Sequence, residues 1–167
     1  LLKYEKELLG FYISGHPLGQ YSKVLKRFCS ANTKDLFTLK EGSSIKIGGI
    51  ITHIKYTKTQ KDEKPMAIIQ IEDLLGSVEA VLYPKTFAHF ESLIKMDALI
   101  FLKGSLQFRN DIPSLITDEI VPLEKVQEEL TTAVYIRLTE SQKMEIFEKL
   151  KPIFESNPGS CKLFLDL

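Results

Sequence analysis

Two periodicities divide the chain. Up to about residue 29 the apolar positions recur every three or four residues; from Ile45 to Leu123 they mostly alternate. Leu1, Tyr4, Leu8, Leu9 and Phe11 or Tyr12 predict a helix over residues 1–12, ended by Ser14-Gly15-His16-Pro17 because Gly and Pro both oppose continuation. Tyr21, Val24, Leu25 and Phe28 predict a short second helix, residues 19–29. A polar connection over residues 30–44 follows, with Leu36-Phe37 as a small apolar anchor.

The alternating region predicts five strands. IKIGGIITHIKY, residues 45–56, starts with Ile45 and Ile47 on one face, but Ile50, Ile54 and Tyr56 have the opposite parity. The phase slips after Gly48-Gly49, where a glycine pair permits a bulge or a sharp bend. MAIIQIED is the second strand, with Ala67, Ile69 and Ile71 inward and Ile68 and Gln70 outward. SVEAVLY is the third, with Val78, Ala80 and Leu82 on one face and Glu79 and Tyr83 on the other. Pro84 suits the first turn of a helix striped by Phe87, Phe90 and Ile94. ALIFLKGSLQF, bent at Gly104, and PSLITDEIVPL complete the set around an Arg109-Asn110-Asp111 turn. Three strands, a helix and two more strands is the order of an OB-fold barrel, and a generic β-sandwich leaves the central helix unexplained.

Residues 131–167 repeat a different theme. AVYIRL reads as a strand, Thr139 to Gln142 as a capping box, and Met144, Phe147, Leu150 and Phe154 as the stripe of a helix. Asn157-Pro158-Gly159 ends that helix, and CKLFLDL is a strand. One β-α-β unit cannot bury both faces of its sheet, so the chain is expected to be a piece of a longer protein. The expected class is therefore mainly β with α. A helical segment (1–44) leads into an OB barrel (45–124), and an incomplete β-α-β unit (131–167) follows.

Composition narrows the function. Lys and Arg total 22, as do Asp and Glu, so the formal net charge is zero. A nucleic-acid-binding domain usually carries a basic excess; any such contact here must come from a local patch and be weak, micromolar or poorer, in the isolated piece. No apolar run approaches the length of a membrane span, and LLKYEKELLG lacks the pattern of a signal peptide. Two cysteines, Cys29 and Cys161, do not make a disulfide framework and suit a reducing, cytoplasmic setting.

The candidate chemistry is concentrated in two loops. TKTQKDEKPMAIIQIED, from Thr57, spaces Lys58, Lys61 and Lys64 three apart around Asp62 and Glu63. OB barrels present the surface of strands two and three, flanked by the loops after strands one and four, to oligonucleotides. The lysines could meet phosphates there, with Lys55 and Tyr56 at the loop's mouth; a solvated, mixed-charge hairpin accounts for the same residues. The second loop holds Phe108, Arg109 and Asn110, an aromatic and a guanidinium suited to sequence-tolerant stacking. Tyr83 and Lys85 sit where the third strand meets the helix, as a stacking platform or as packing. Outward Ile68 offers contact to a base or covers a neighbouring domain. His16, His53 and His89 have no partners at metal-ligand spacing, and Glu72-Asp73 reads as a turn, so no metal, cofactor or catalytic group is expected.

EKELLGFYISGHPL at 5–18, the run from Ile47 to Phe87 and GSLQFRNDIPSLITDEIVPLE together resemble the alpha subunits of bacterial DNA polymerase III, and the tail resembles the start of their C-terminal domain. The loop departs from the usual Thr-Lys-Lys-Gly-Lys-Pro-Met-Ala by being longer, lacking glycine and adding two acids. The resemblance implies a replicative polymerase whose metal-binding carboxylates precede this segment. It also implies single-stranded template at the barrel, the clamp loader's tau subunit at the C-terminal region and a sliding-clamp contact at or beyond its edge. It tips the first loop toward phosphate contact. Two alternatives remain: an interaction module packing against polymerase domains or replisome subunits, and an anticodon-binding OB domain of a tRNA synthetase, which GFYISGHPL argues against.

Overall fold

The computed structural model describes residues 16–137, 143–159 and 161–166. The helix expected at 1–12 and the capping box at Thr139–Gln142 lie outside them. Backbone contacts divide the chain into two units, Leu1–Val126 and Gln127–Leu167.

In the first unit a single 3-10 turn leads into α1 (Ser22–Phe28), and a second 3-10 turn spans Asp35–Thr38. The strands are β1 (Ser44–Lys58), β2 (Pro65–Glu72), β3 (Ser77–Leu82), β4 (Leu99–Arg109) and β5 (Ile112–Pro122), with α2 (Pro84–Phe90) between β3 and β4. They close in the order β1-β2-β3-β5-β4, all pairs antiparallel except β3 with β5. This is the OB barrel expected from the element order. Inward residues fill it, among them Ile45, Ile47, Ile51, Ala67, Ile69, Ile71, Ala80, Leu82, Leu102, Leu106 and Leu115, and Leu36, Phe87 and Ile94 join the same cluster. Pro84 occupies the first turn of α2 as anticipated.

β1 belongs to two halves of the barrel. Ser44–Ile50 pairs with β4 and Ile50–Lys58 with β2. The phase slip is present, but the register shift falls between Ile51 and His53, beyond the glycine pair. The glycines answer to close packing instead. A Cβ on Gly48 would come within 2.3 Å of Leu25 Cδ2 on α1, and one on Gly49 within 2.7 Å of the Glu72 carbonyl oxygen. Gly104 marks the bend expected of it: β4 shifts register between Lys103 and Gly104, and a Cβ there would lie 2.1 Å from the Ile116 carbonyl oxygen.

The second unit contains α3 (Val126–Leu130, which starts at the boundary), β6 (Ala133–Arg137), α4 (Lys143–Ser156) and β7 (Lys162–Asp166). β6 and β7 pair in parallel, as a helical crossover allows. Tyr135 and Phe164 are cross-strand partners whose rings stack at 4.8 Å, and Tyr135 is 73 % exposed.

Candidate nucleic-acid interface

The pairing register lays out the barrel's outer face in rows. Directly opposed residues share a face, so Lys55, Ile68, Val81 and Ile116 form one row, and His53, Gln70, Glu79, Ser114 and Gln107 the next. Ile68 and Gln70 are half-buried there, as their parity predicts. From His53 to Lys58 the strand advances about 17 Å, at roughly 3.3 Å per residue, toward the β1–β2 hairpin. The face is long enough for a short oligonucleotide.

That hairpin is polar, exposed and closed by its own backbone. The Thr59 amide donates to the Lys64 carbonyl at 2.9 Å, the Glu63 amide to the Thr59 carbonyl at 3.1 Å and the Lys64 amide to Thr59 Oγ1 at 3.1 Å. Glu63 takes a left-handed backbone, φ 49°, which an L-residue adopts at a cost. Lys64 Nζ lies 3.5 Å from Asp62 Oδ2, an exposed pair of little energetic weight. Among the described residues Lys55, Lys58 and Lys61 make no ion pair. All four lysines are exposed, so the positive lip is open to solvent.

The β4–β5 hairpin is built differently. Arg109 pairs with Ile112, leaving a two-residue turn whose members, Asn110 and Asp111, both have positive φ (52° and 62°). That is a type I′ turn, matched to the twist of its strands. Beside it lies a groove of about 350 Å³ lined by Phe37, Gln70, Glu79, Arg109, Asn110, Ile112 and neighbours. Phe37 is 65 % exposed and Ile112 66 %. The sequence reading missed both. The signal for Phe37 lay in the pair Leu36-Phe37: in a 3-10 turn two adjacent apolar residues cannot both point inward, and Leu36 takes the core.

Two candidates stand on the inward parity of their strands. Phe108 alternates with Arg109 and is packed against the barrel core, so it does not stand beside the guanidinium. Tyr56 opposes Ala67, the inward parity, and its ring meets Phe87 of α2 edge-on at 6.0 Å. It therefore lies on the other side of the sheet from Lys55, on the parity that Lys58 continues at the strand's end, and is 60 % exposed there. Tyr83 continues the outward parity of Glu79 and Val81 past the end of β3 and is 44 % exposed, at the hairpin end of the face. Lys85 is exposed in the first turn of α2.

Other polar groups are structural. Asp73 accepts hydrogen bonds from the Thr33 amide and hydroxyl and from the amides of Leu75 and Gly76, at 2.7 to 3.0 Å. It ties the β2–β3 turn to the segment that carries Phe37, and the turn role read for Glu72-Asp73 follows. His16 Nδ1 accepts from the Leu18 amide at 3.2 Å. Burial pushes the Cys29 thiol up to about 11, partly offset by a hydrogen bond with the Gly48 backbone. Among the described residues no three His, Cys, Asp or Glu side chains could hold a metal ion, and no helix is long and apolar enough to cross a membrane.

The family model for the OB-fold nucleic acid binding domain, named for tRNA anticodon binding, matches residues 45–123. The chain is 35% identical over 159 residues to a DNA polymerase III subunit alpha of Aquifex aeolicus, covering 93% of this chain and 14% of the relative. It is 29% identical over 172 residues to that of Borreliella burgdorferi, covering 100% of this chain and 15% of the relative. It thus spans about one seventh of the curated relatives it matches. Among solved structures, the mitochondrial single-stranded DNA binding protein Rim1 of S. cerevisiae aligns over 49% of this chain and 94% of its own. The identity is 12% and the TM-score 0.41, which adds nothing to the fold already described. The barrel is an OB-fold domain of the nucleic-acid-binding kind, set in a segment that matches the alpha subunits of bacterial DNA polymerase III over nearly its whole length.

Proposed function

We propose that the outer face of the barrel holds single-stranded DNA, and that in the longer parent chain this is template near a polymerase active site. One observation carries the reading: the lysines of the β1–β2 hairpin are exposed at one end of the face that OB domains use for oligonucleotides. Lys55, Lys58, Lys61 and Lys64 meet phosphates, and the bases lie across Ile68, Val81 and the groove beyond. Bases are held chiefly by stacking, and no metal or cofactor is called upon. Nucleotide addition, and contacts with the clamp-loader tau subunit or the sliding clamp, belong to the parent chain.

The test is fluorescence anisotropy with a labelled single strand across a salt series. Counterion release predicts a slope of about −0.7 in log affinity against log salt for each phosphate neutralised, so Lys58, Lys61 and Lys64 replaced together by Ala flatten it by about 2. Absent or salt-insensitive binding by the unaltered chain contradicts the reading. Docking against other domains of a parent chain is favoured by a different feature, the exposed Leu74-Leu75 turn. That turn lies at the opposite end of β2 from the lysines, so the triple substitution leaves such docking intact.

A further inference from the structure

The groove at the β4–β5 end differs from the lysine end in ways that specify a ligand part. An exposed aromatic ring, a guanidinium, an apolar side chain and a carboxylate border one concavity: Phe37, Arg109, Ile112 and Glu79. Among the described residues neither Glu79 nor Arg109 makes an ion pair. The Glu79 carboxylate offsets the Arg109 guanidinium, so the groove has no net positive charge to draw a phosphate. A flat, polar-edged base satisfies all four groups: its face takes the ring, Ile112 and the plane of the guanidinium, and its amino edge meets the carboxylate.

Phe37 is also held in place. Leu36 next to it is fully buried in the barrel core, and the 3-10 turn is secured by Thr38 Oγ1 donating to the Asp35 carbonyl at 2.8 Å. At the other end, Asn32 Oδ1 accepts from the amides of Lys34 and Asp35. The Asp73 clamp on Thr33 joins this segment to the β2–β3 turn. On a backbone so held, stacking costs only the side-chain freedom of the ring itself.

We propose that this groove seats one unpaired nucleobase, stacked on Phe37 against Ile112 and Arg109, with Glu79 accepting from an exocyclic amino group. The inference rests on the single-strand reading above and adds a subsite to it. The subsite favours bases that carry an amino group, so oligo-dC binds more tightly than oligo-dT.

The test is anisotropy of the 167-residue chain with labelled oligo-dC and oligo-dT across a salt series. F37A is expected to weaken binding about tenfold, the scale of one lost base–aromatic stack, with the salt slope unchanged because no phosphate contact is removed. F37Y is expected to bind like the unaltered chain. E79Q is expected to bring the affinities for the two oligonucleotides together. Binding by the unaltered chain with a lysine-dependent slope, but with F37A equal to it and no dC preference for E79Q to erase, overturns the groove and leaves the lysine reading standing. No binding by the unaltered chain overturns both. Phe37 is exposed, so F37A should fold, and an unchanged far-ultraviolet circular dichroism spectrum confirms that its loss of affinity is a loss of contact.

Discussion

The two hairpins that border the barrel's outer face are built on opposite plans. The β1–β2 loop is long, charged and exposed, and it places Glu63 in an unfavourable backbone conformation. The β4–β5 turn is two residues long and holds Arg109 and Ile112 directly opposite each other. Under the proposed function, the difference matches what each would do at a distance. A lysine attracts a phosphate over a Debye length of about 8 Å and needs reach more than precision. Stacking falls off within contact distance and needs a fixed platform. The long loop suits the first task and the short turn the second.

The largest effect is expected where the support common to both ends is broken. A methyl at Gly104 would collide with the Ile116 carbonyl and Thr117 Cα, which are backbone and cannot swing away. Gly104→Ala should cost about 3 kcal/mol in urea unfolding and abolish both kinds of contact together. A smaller and more selective change is Asn110→Val. A β-branched residue at φ 52° should destabilise by about 1.5 kcal/mol and disturb Arg109 and Ile112, weakening oligonucleotide binding with no change in salt slope. Glu63→Gly sharpens the other side. It relieves the left-handed strain and removes an acid from among the lysines, so stability should rise by about 1 kcal/mol and affinity at low salt should rise with it. The smallest effect concerns the floor of the barrel. Among the described residues Thr117 Oγ1 is buried without a hydrogen-bond partner, so Thr117→Val should stabilise by up to about 1 kcal/mol and leave binding untouched.

The strand order and the inward parities of β2 and β3 were legible because alternation is dictated by one buried face, and a one-residue slip would turn every side chain over. The bulge in β1 was legible in existence but not in place. Gly48 and Gly49 marked close approach of Leu25 and of the Glu72 carbonyl, while the register shift fell at Thr52, which carries no glycine signal. Lys55 and Arg109 could be assigned to the edges of the face by alternation, and Lys58, Lys61 and Lys64 to an exposed hairpin by its turn chemistry. The inward parity of Tyr56 was legible too, because a slip at Gly48-Gly49 or at Thr52 leaves it on the same face as Ile54. Phe108 beside Arg109 looked like an aromatic–cation pair in one dimension, but adjacent residues on a strand point to opposite faces. Phe37 lies in a segment before the barrel: the Leu36-Phe37 pair signals that one of the two is exposed, but not that it borders the groove.

The most direct measurement of where a single strand lies is a titration of the 15N-labelled chain with an unlabelled oligonucleotide, followed by amide chemical shifts. Shifts are expected to concentrate on Lys55 to Lys64, Ile68, Gln70 and Val81, while Leu25 and Leu123, on the side packed around Gly48, stay still. Shifts confined to the Leu25 and Leu123 side, with the lysine hairpin silent, would contradict the proposed function.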